Sequence, residues 1–182
     1  AKLKRAQENA EKTRPYADKM GDIVKSVSKN INKNNFKFGV INPTEKSKKI
    51  LLVVCSADRG LCGGFNGSIV KFTKKLCEKI KKEGNHPEFI FVGKKAYLPF
   101  KREFEKYTRD FVSDYANPSI KFELSSSIRD KIIEHFLKKE IHECHLIYTK
   151  FKSAISQTVE AIQLLPIGIE NEEEPTENKI NY

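Results

Sequence analysis

The chain has 182 residues, enough for one ordinary domain with a real core. Hydrophobic residues make up 38% and charged residues 32%, with a net charge of +10, as expected of a soluble globular chain with a heavily charged surface. No apolar run approaches the roughly 18 residues needed to cross a bilayer, which excludes a membrane-spanning helix on sequence grounds.

No basic-then-apolar leader opens the chain, and its first residue is not Met, so a processed or trimmed product without a secretory signal is expected. The cysteines are Cys55, Cys62, Cys77 and Cys144, and none form a CxxC pair. Such spacing reads as reduced thiols in a cytosol-like compartment. The charge is uneven. Residues 1–50 carry thirteen Lys and Arg against five Asp and Glu, whereas residues 168–182 carry one Lys against five Glu. A basic arm and an acidic tail suggest charged macromolecular partners.

Residues 1–31 predict one long helix. Leu3, Ala6, Ala10, Thr13, Ala17, Met20, Val24, Val27 and Ile31 alternate in steps of 3 and 4, a heptad seam. At 1.5 Å per residue the helix is about 45 Å long. Pro15 removes one backbone hydrogen bond and bends it, and Gly21 weakens it by roughly 1 kcal/mol. Two readings stand: an amphipathic helix lying on its own domain, or a shaft whose mate is absent from this chain or lies on another. Strict heptads favour the shaft.

Residues 32–49 form a polar linker with a turn at Asn42-Pro43. Beyond it, 50–167 alternates strand and helix. Ile50 to Cys55 is a continuous apolar run, suited to a strand buried on both faces. A glycine-rich turn leads to a helix over Ser68–Lys82, with Ile69, Phe72, Leu76 and Ile80 on its apolar face and Gly84 at its end. Phe89–Val92 is a second strand, and Lys94–Lys106 reads as a helix broken near Pro99. Arg109–Val112 is a short third strand. Ser125–Lys139 is a helix with Ile128, Ile132, Ile133, Phe136 and Leu137 inward, opened by a capping box over Ser127–Asp130. Cys144–Phe151 and Ser156–Leu165 complete the strands, the last ended by Pro166. This alternation predicts a Rossmann-like α/β sandwich with a largely parallel sheet. The tail, 168–182, is acidic and Pro-containing.

The motif that invites chemistry is Asp58-Arg59-Gly60-Leu61-Cys62-Gly63-Gly64-Phe65-Asn66-Gly67, between the first strand and its helix. Such turns hold phosphates in many α/β proteins. Its glycines run GxxGGxxG, neither GxGxxG nor GxxxxGK[ST], and the helix start offers no Lys-Ser/Thr pair. Three readings remain open: nucleotide binding over Gly60–Gly67, a sharp turn with close helix–sheet contact, or a docking loop presenting Arg59 to a partner's carboxylates. His142, Cys144 and His145 look like metal ligands, but on a strand His142 and Cys144 share one face while His145 points the other way. Cys62 and Asp58 have no partner His in a nucleophile motif. The basic arm could meet nucleic acid, yet its Lys and Arg alternate with Glu8, Glu11, Asp18 and Asp22, as on a solvated helix face.

These residues resemble one family, the gamma subunit of the rotary ATP synthase. Ser56-Ala57-Asp58-Arg59-Gly60-Leu61-Cys62-Gly63-Gly64-Phe65-Asn66 resembles that family's S-x-D-R-G-L-C-G-G-x-N signature. Lys2 to Gln7 and Arg14 to Ala17 are similar to its N-terminal helix, and Lys150 to Gln157 and Leu164 to Pro166 to its late strands. The resemblance implies a chain truncated at both ends: an N-terminal coiled-coil helix lacking its C-terminal partner, and an acidic loop at 168–182 leading to that missing helix. It implies a central-stalk rotor that couples the turning of the membrane c-ring to ATP synthesis or hydrolysis on the beta subunits. No catalytic residue, cofactor or metal is expected on this chain. The implied partners are the alpha and beta subunits, the epsilon subunit and the ring, with no nucleic acid and no direct membrane insertion. Asp58, Arg59, Gly60, Leu61 and Cys62 would face the beta subunit. Leu3, Ala6, Ala10, Ala17, Met20, Val24 and Val27 would form the shaft seam, with Lys2, Lys4 and Arg5 near the head. Asn181 and Tyr182 would lie close to the epsilon subunit and ring. The implied location is peripheral, on the cytoplasmic face of a bacterial inner membrane or the matrix face of the mitochondrial inner membrane.

Overall fold

The computed structural model describes residues 47–115, 122–153 and 156–166, which fall within one compact unit. The expected shaft helix over 1–31, nearly all of the linker and the acidic segment lie outside the described residues.

Strand β1 (Lys49–Cys55) is the centre of a five-stranded sheet. Its run Ile50–Val54 is buried on both sides. Alternate residues point opposite ways, so Ile50, Leu52 and Val54 enter one core layer while Leu51 and Val53 enter the other. β2 (His86–Val92) pairs with β1 in parallel, β3 (Thr108–Val112) with β2 in parallel, and β4 (Glu143–Ser153) with the other edge of β1 in parallel. β5 (Ser156–Leu165) returns antiparallel along β4 as a hairpin. The order is β3-β2-β1-β4-β5. β4 pairs with β1 only as far as Ile147 but with β5 as far as Ser153. The hairpin therefore overhangs the sheet by about six residues, roughly 20 Å.

Helix α1 (Phe65–Lys82) and helix α2 (Lys94–Phe104) cover one face. α1 buries Ile69, Thr73, Cys77 and Ile80, with Phe72 and Leu76 partly buried at the edge of the layer. The Thr73 hydroxyl is satisfied inside the helix, donating to Ile69 O at 2.8 Å. α2 runs unbroken through Pro99, where a break was expected, and ends in a 3-10 turn at Glu105–Tyr107. Ala96, Phe100 and Phe104 form an i, i+4, i+8 stripe that packs on Phe89 and Phe91, with Phe89–Phe104 ring centroids 5.0 Å apart. Burying two phenylalanines, at about 1.5–3 kcal/mol each, offsets the roughly 3 kcal/mol that an interior proline costs.

Helix α3 (Phe122–Leu137) covers the other face. It starts earlier than expected, so Ser127 sits in its second turn rather than at its cap and the capping box over Ser127–Asp130 does not form the start. Ile132 is buried and Ile128 and Phe136 pack beside it, whereas Ile133 (42% exposed) and Leu137 (65% exposed) face out. Ion pairs from Arg109 of β3 to Glu88 of β2 and to Glu140 beyond α3 fasten this layer to the sheet, and His135 Nδ1 lies 2.6 Å from Glu140 Oε2.

Candidate partner-contact site

The loop that follows β1 is built by closing the start of α2. That helix begins after Gly93, which has no side chain to cap it. Its first N–H groups are instead met by residues from the β1 loop. Lys94 N–H donates to Asp58 Oδ1 (3.0 Å), Lys95 N–H to Ala57 O (3.0 Å) and Ala96 N–H to Ser56 Oγ (2.9 Å). The Asp58 carboxylate is also favourably placed at the positive end of the helix dipole. Ser56 is 2% exposed, and its hydroxyl donates on to Gly93 O at 3.1 Å. Gly93 has φ +106°, and a Cβ there would overlap the Ser56 carbonyl, so only glycine permits this approach.

Asn66, at the start of α1, holds the other side. Its Oδ1 accepts from Ala57 N–H at 3.0 Å, and its Nδ2 donates to Arg59 O at 3.3 Å and Cys62 Sγ at 2.9 Å. Tyr115 adds a brace from beyond β3, donating its hydroxyl to Ser56 O at 2.8 Å. Burial, with the Asp58 charge beside it, raises the Tyr115 pKa, so the phenol stays a donor at neutral pH.

What this frame presents outward is Arg59, Gly60, Leu61 and Cys62, all exposed. Leu61 stands fully in solvent at 109% with φ +59°, a strained setting for a branched side chain. Arg59 has no ion pair among the described residues. Beside the loop, Lys94 Nζ lies 2.9 Å from Asp114 Oδ2. Lys94, through its hydrogen bond and its charge, holds the Asp114 carboxyl below the usual range, with smaller help from Ser113 and Arg59.

The expected contact residues are thus brought together but divide in function. Asp58 faces inward as a cap, while Arg59, Leu61 and Cys62 face out. Gly93 and Tyr115 are part of the frame and escape a sequence reading. A glycine between a strand and a helix was a signal for the first; Tyr115, 59 residues from Ser56, gave none.

A cleft opens between this loop and the β4–β5 hairpin, at the C-terminal ends of β1 and β4 where the strand order reverses. Ala57, Cys62, Phe65, Thr149 and Gln157 line it, with Gly64, Ser68 and Val159 at its side. α/β folds bind ligands at this position. None of these lining residues carries a positive charge, so an anion there would rest on the N–H groups at the start of α1, while Lys95 Nζ lies near Gly60 at the loop's other side.

His142, Cys144 and His145 do not converge. Cys144 is fully buried, His142 Nδ1 accepts from Lys49 N–H at 3.0 Å, and His145 Nε2 lies 3.3 Å from Glu143 Oε2. Among the described residues no three His, Cys, Asp or Glu side chains are grouped to hold a metal. Also among the described residues, no helix is long and apolar enough to cross a membrane. The seam residues Leu3, Ala6, Ala10, Ala17, Met20, Val24 and Val27, and Asn181 and Tyr182, lie outside the described residues.

A family model described as ATP synthase matches residues 1–182. The ATP synthase gamma chain of Pelagibacter ubique is 37% identical over 182 residues, covering 100% of this chain and 62% of the relative. That of Sinorhizobium fredii is 39% identical over 166 residues, covering 91% of this chain and 57% of the relative. The chain thus spans about three fifths of the length of these curated relatives. Among solved structures, the central stalk and c-ring of the Tetrahymena thermophila mitochondrial ATP synthase matches with a TM-score of 0.68. That likeness has 24% identity, covers 90% of this chain and 67% of that one, and concerns the fold.

Proposed function

The chain belongs to the ATP synthase gamma chain family, and from that footing we propose that it serves in the central-stalk rotor of a proton-translocating ATP synthase. In this reading the membrane ring turns the stalk inside the hexamer of alpha and beta subunits. The asymmetry of the stalk drives three catalytic sites through different conformations. ATP is made or hydrolysed on beta, and this chain is a non-catalytic subunit.

The observation that carries the reading is the division of labour in the β1 loop. Ser56, Asp58 and Asn66 are spent on holding the backbone, and Arg59 and Leu61 are left projecting from it. A rotor contact needs this: a side chain that can push on a partner, on a base that does not yield. Arg59 pairs with carboxylates of the beta subunit's C-terminal region. An exposed Arg–carboxylate pair is worth up to about 1 kcal/mol, and more when water is excluded around it.

Residues 1–31 form the shaft helix of a coiled coil, its seam running from Leu3 through Ala6, Ala10, Ala17, Met20 and Val24 to Val27. The region of Asn181 and Tyr182 lies near the epsilon subunit and the ring. The protein sits peripherally, on the cytoplasmic face of a bacterial inner membrane or the matrix face of the mitochondrial one.

The test is Arg59→Glu in the full-length subunit of a reconstituted complex. An altered ATPase rate or impaired coupling is expected. Unchanged hydrolysis and synthesis would overturn the loop contact.

A further inference from the structure

The two faces of the sheet carry different charge. α1 and α2 lie in contact on one face, and Lys81 of α1 reaches Glu103 of α2 at 3.0 Å. Together these two helices hold ten Lys and Arg against two Glu. α3, on the opposite face, holds two basic against three acidic residues. Lys71, Lys74, Lys75 and Lys82 on α1, with Lys101 and Arg102 on α2, are exposed and make no ion pair among the described residues. Lys71, Lys75 and Lys82 repeat at steps of four and seven, one stripe along about 16 Å of helix. Folding does not need this: six unpaired cations on adjacent helices repel one another, and the buried stripes lie on the other side.

We propose that the outer surface of the α1–α2 layer is an electrostatic docking face for anionic lipid headgroups. Nine of the ten basic residues on the two helices are lysine. Lysine is a compact, strongly hydrated point charge on a flexible stem, whereas arginine is the residue that reads a carboxylate in a fixed fork. Specific protein interfaces concentrate Arg and aromatic anchors and are depleted in Lys. Leu98 is the one large apolar side chain of these two helices more than half exposed, so the face has no central anchor cluster of the kind protein partners use. A spread of mobile lysines instead suits an array of phosphates that needs no register. The attachment is peripheral and reversible.

The test is flotation of the full chain with vesicles of phosphatidylcholine, alone or with about one third phosphatidylglycerol. Binding is expected only to the anionic vesicles, and it should fall away between about 0.1 and 0.5 M salt as screening shortens. Each lysine near such a surface is worth roughly fivefold in partition. The variant K71E/K74E/K75E/K82E should therefore lose binding by two orders of magnitude or more. The Gln version of the same four positions should lose less than the Glu version but still two orders of magnitude or more, with both variants keeping the native melting temperature. Reversing an equal number of charges in the arm (Lys2, Lys4, Lys12 and Lys19→Glu) should leave most of the binding. Binding to neutral vesicles, or loss of binding on arm reversal alone, overturns the proposal. Polyglutamate or duplex DNA held more tightly than the vesicles, through the same four lysines, overturns the lipid assignment in favour of an acidic polypeptide or nucleic acid.

Discussion

Ser56→Ala tests the frame of the β1 loop without touching its outward side. The Ser56 hydroxyl is buried at 2% exposure, accepts from Ala96 N–H at 2.9 Å and donates to Gly93 O at 3.1 Å. Alanine fits the same space but leaves the Ala96 N–H without its partner in a buried site. An unsatisfied buried donor costs about 1–3 kcal/mol, and loss of a helix cap typically about 1 kcal/mol, two views of the same N–H rather than terms to add. The Gly93 carbonyl, at the N-cap, still accepts the first bond of α2 and contributes less. The expected cost is therefore about 1–3 kcal/mol, a fall in midpoint temperature of roughly 2–12 °C for a chain of this size. Urea denaturation followed by far-ultraviolet circular dichroism measures it, with an unchanged m-value required for a pure stability effect. Ser68→Ala, at an exposed position in the first turn of α1, is the control and should stay within about 0.5 kcal/mol. A Ser56→Ala cost no larger than that control would refute the claim that this loop closes α2.

Gly93→Ala should be worse than Ser56→Ala, because positive φ and overlap with the Ser56 carbonyl act together; soluble, natively melting protein would contradict the close approach. Thiol labelling under native conditions near pH 8 should modify Cys62 first. Burial pushes Cys55 up to about 11 and Cys77 and Cys144 up to about 12, so these stay protonated, and fast labelling of any of the three would count against their burial. Stability should fall as pH drops below about 4.5. Glu140 is held low by its hydrogen bond from His135 and by Arg109; burial would raise Glu143, but Lys48 and His145 outweigh it. Both carboxyls lie lower when folded than the unfolded 4.5, so their contribution is full above that value and is lost as they protonate. Glu140→Gln with Glu143→Gln should flatten the acid limb measured by urea titration, and an unaltered limb would remove these groups from the account.

Much of the sheet was legible because its signals are local. β1 reads as a doubly buried strand from five consecutive apolar residues, and β5 matches its expected span from Ser156 to Leu165. Misreadings arose where packing outweighs propensity. Pro99 would end an isolated helix, but Ala96, Phe100 and Phe104 hold α2 together against the sheet. α3 begins a turn before Ser127 because Leu124, partly buried, extends the stripe of Ile128, Ile132 and Phe136 backwards by four. Ile133 and Leu137 fall one step off that stripe and are left in water. In the loop, the glycine pattern announced a turn and Arg59 an exposed cation. The roles of Ser56 and Asp58 depend on a helix that starts 36 residues after Asp58, which no window of sequence contains.

The borrowed closure of α2 means that neighbouring letters of one short motif answer to different pressures. A change at Ser56 or Asp58 is felt as fraying far along the chain, and it would be visible in a purified protein with nothing bound. A change at Arg59 leaves the isolated molecule untouched and surfaces only in company. Sorting variants of this motif by melting behaviour alone would separate its scaffolding from its working tip.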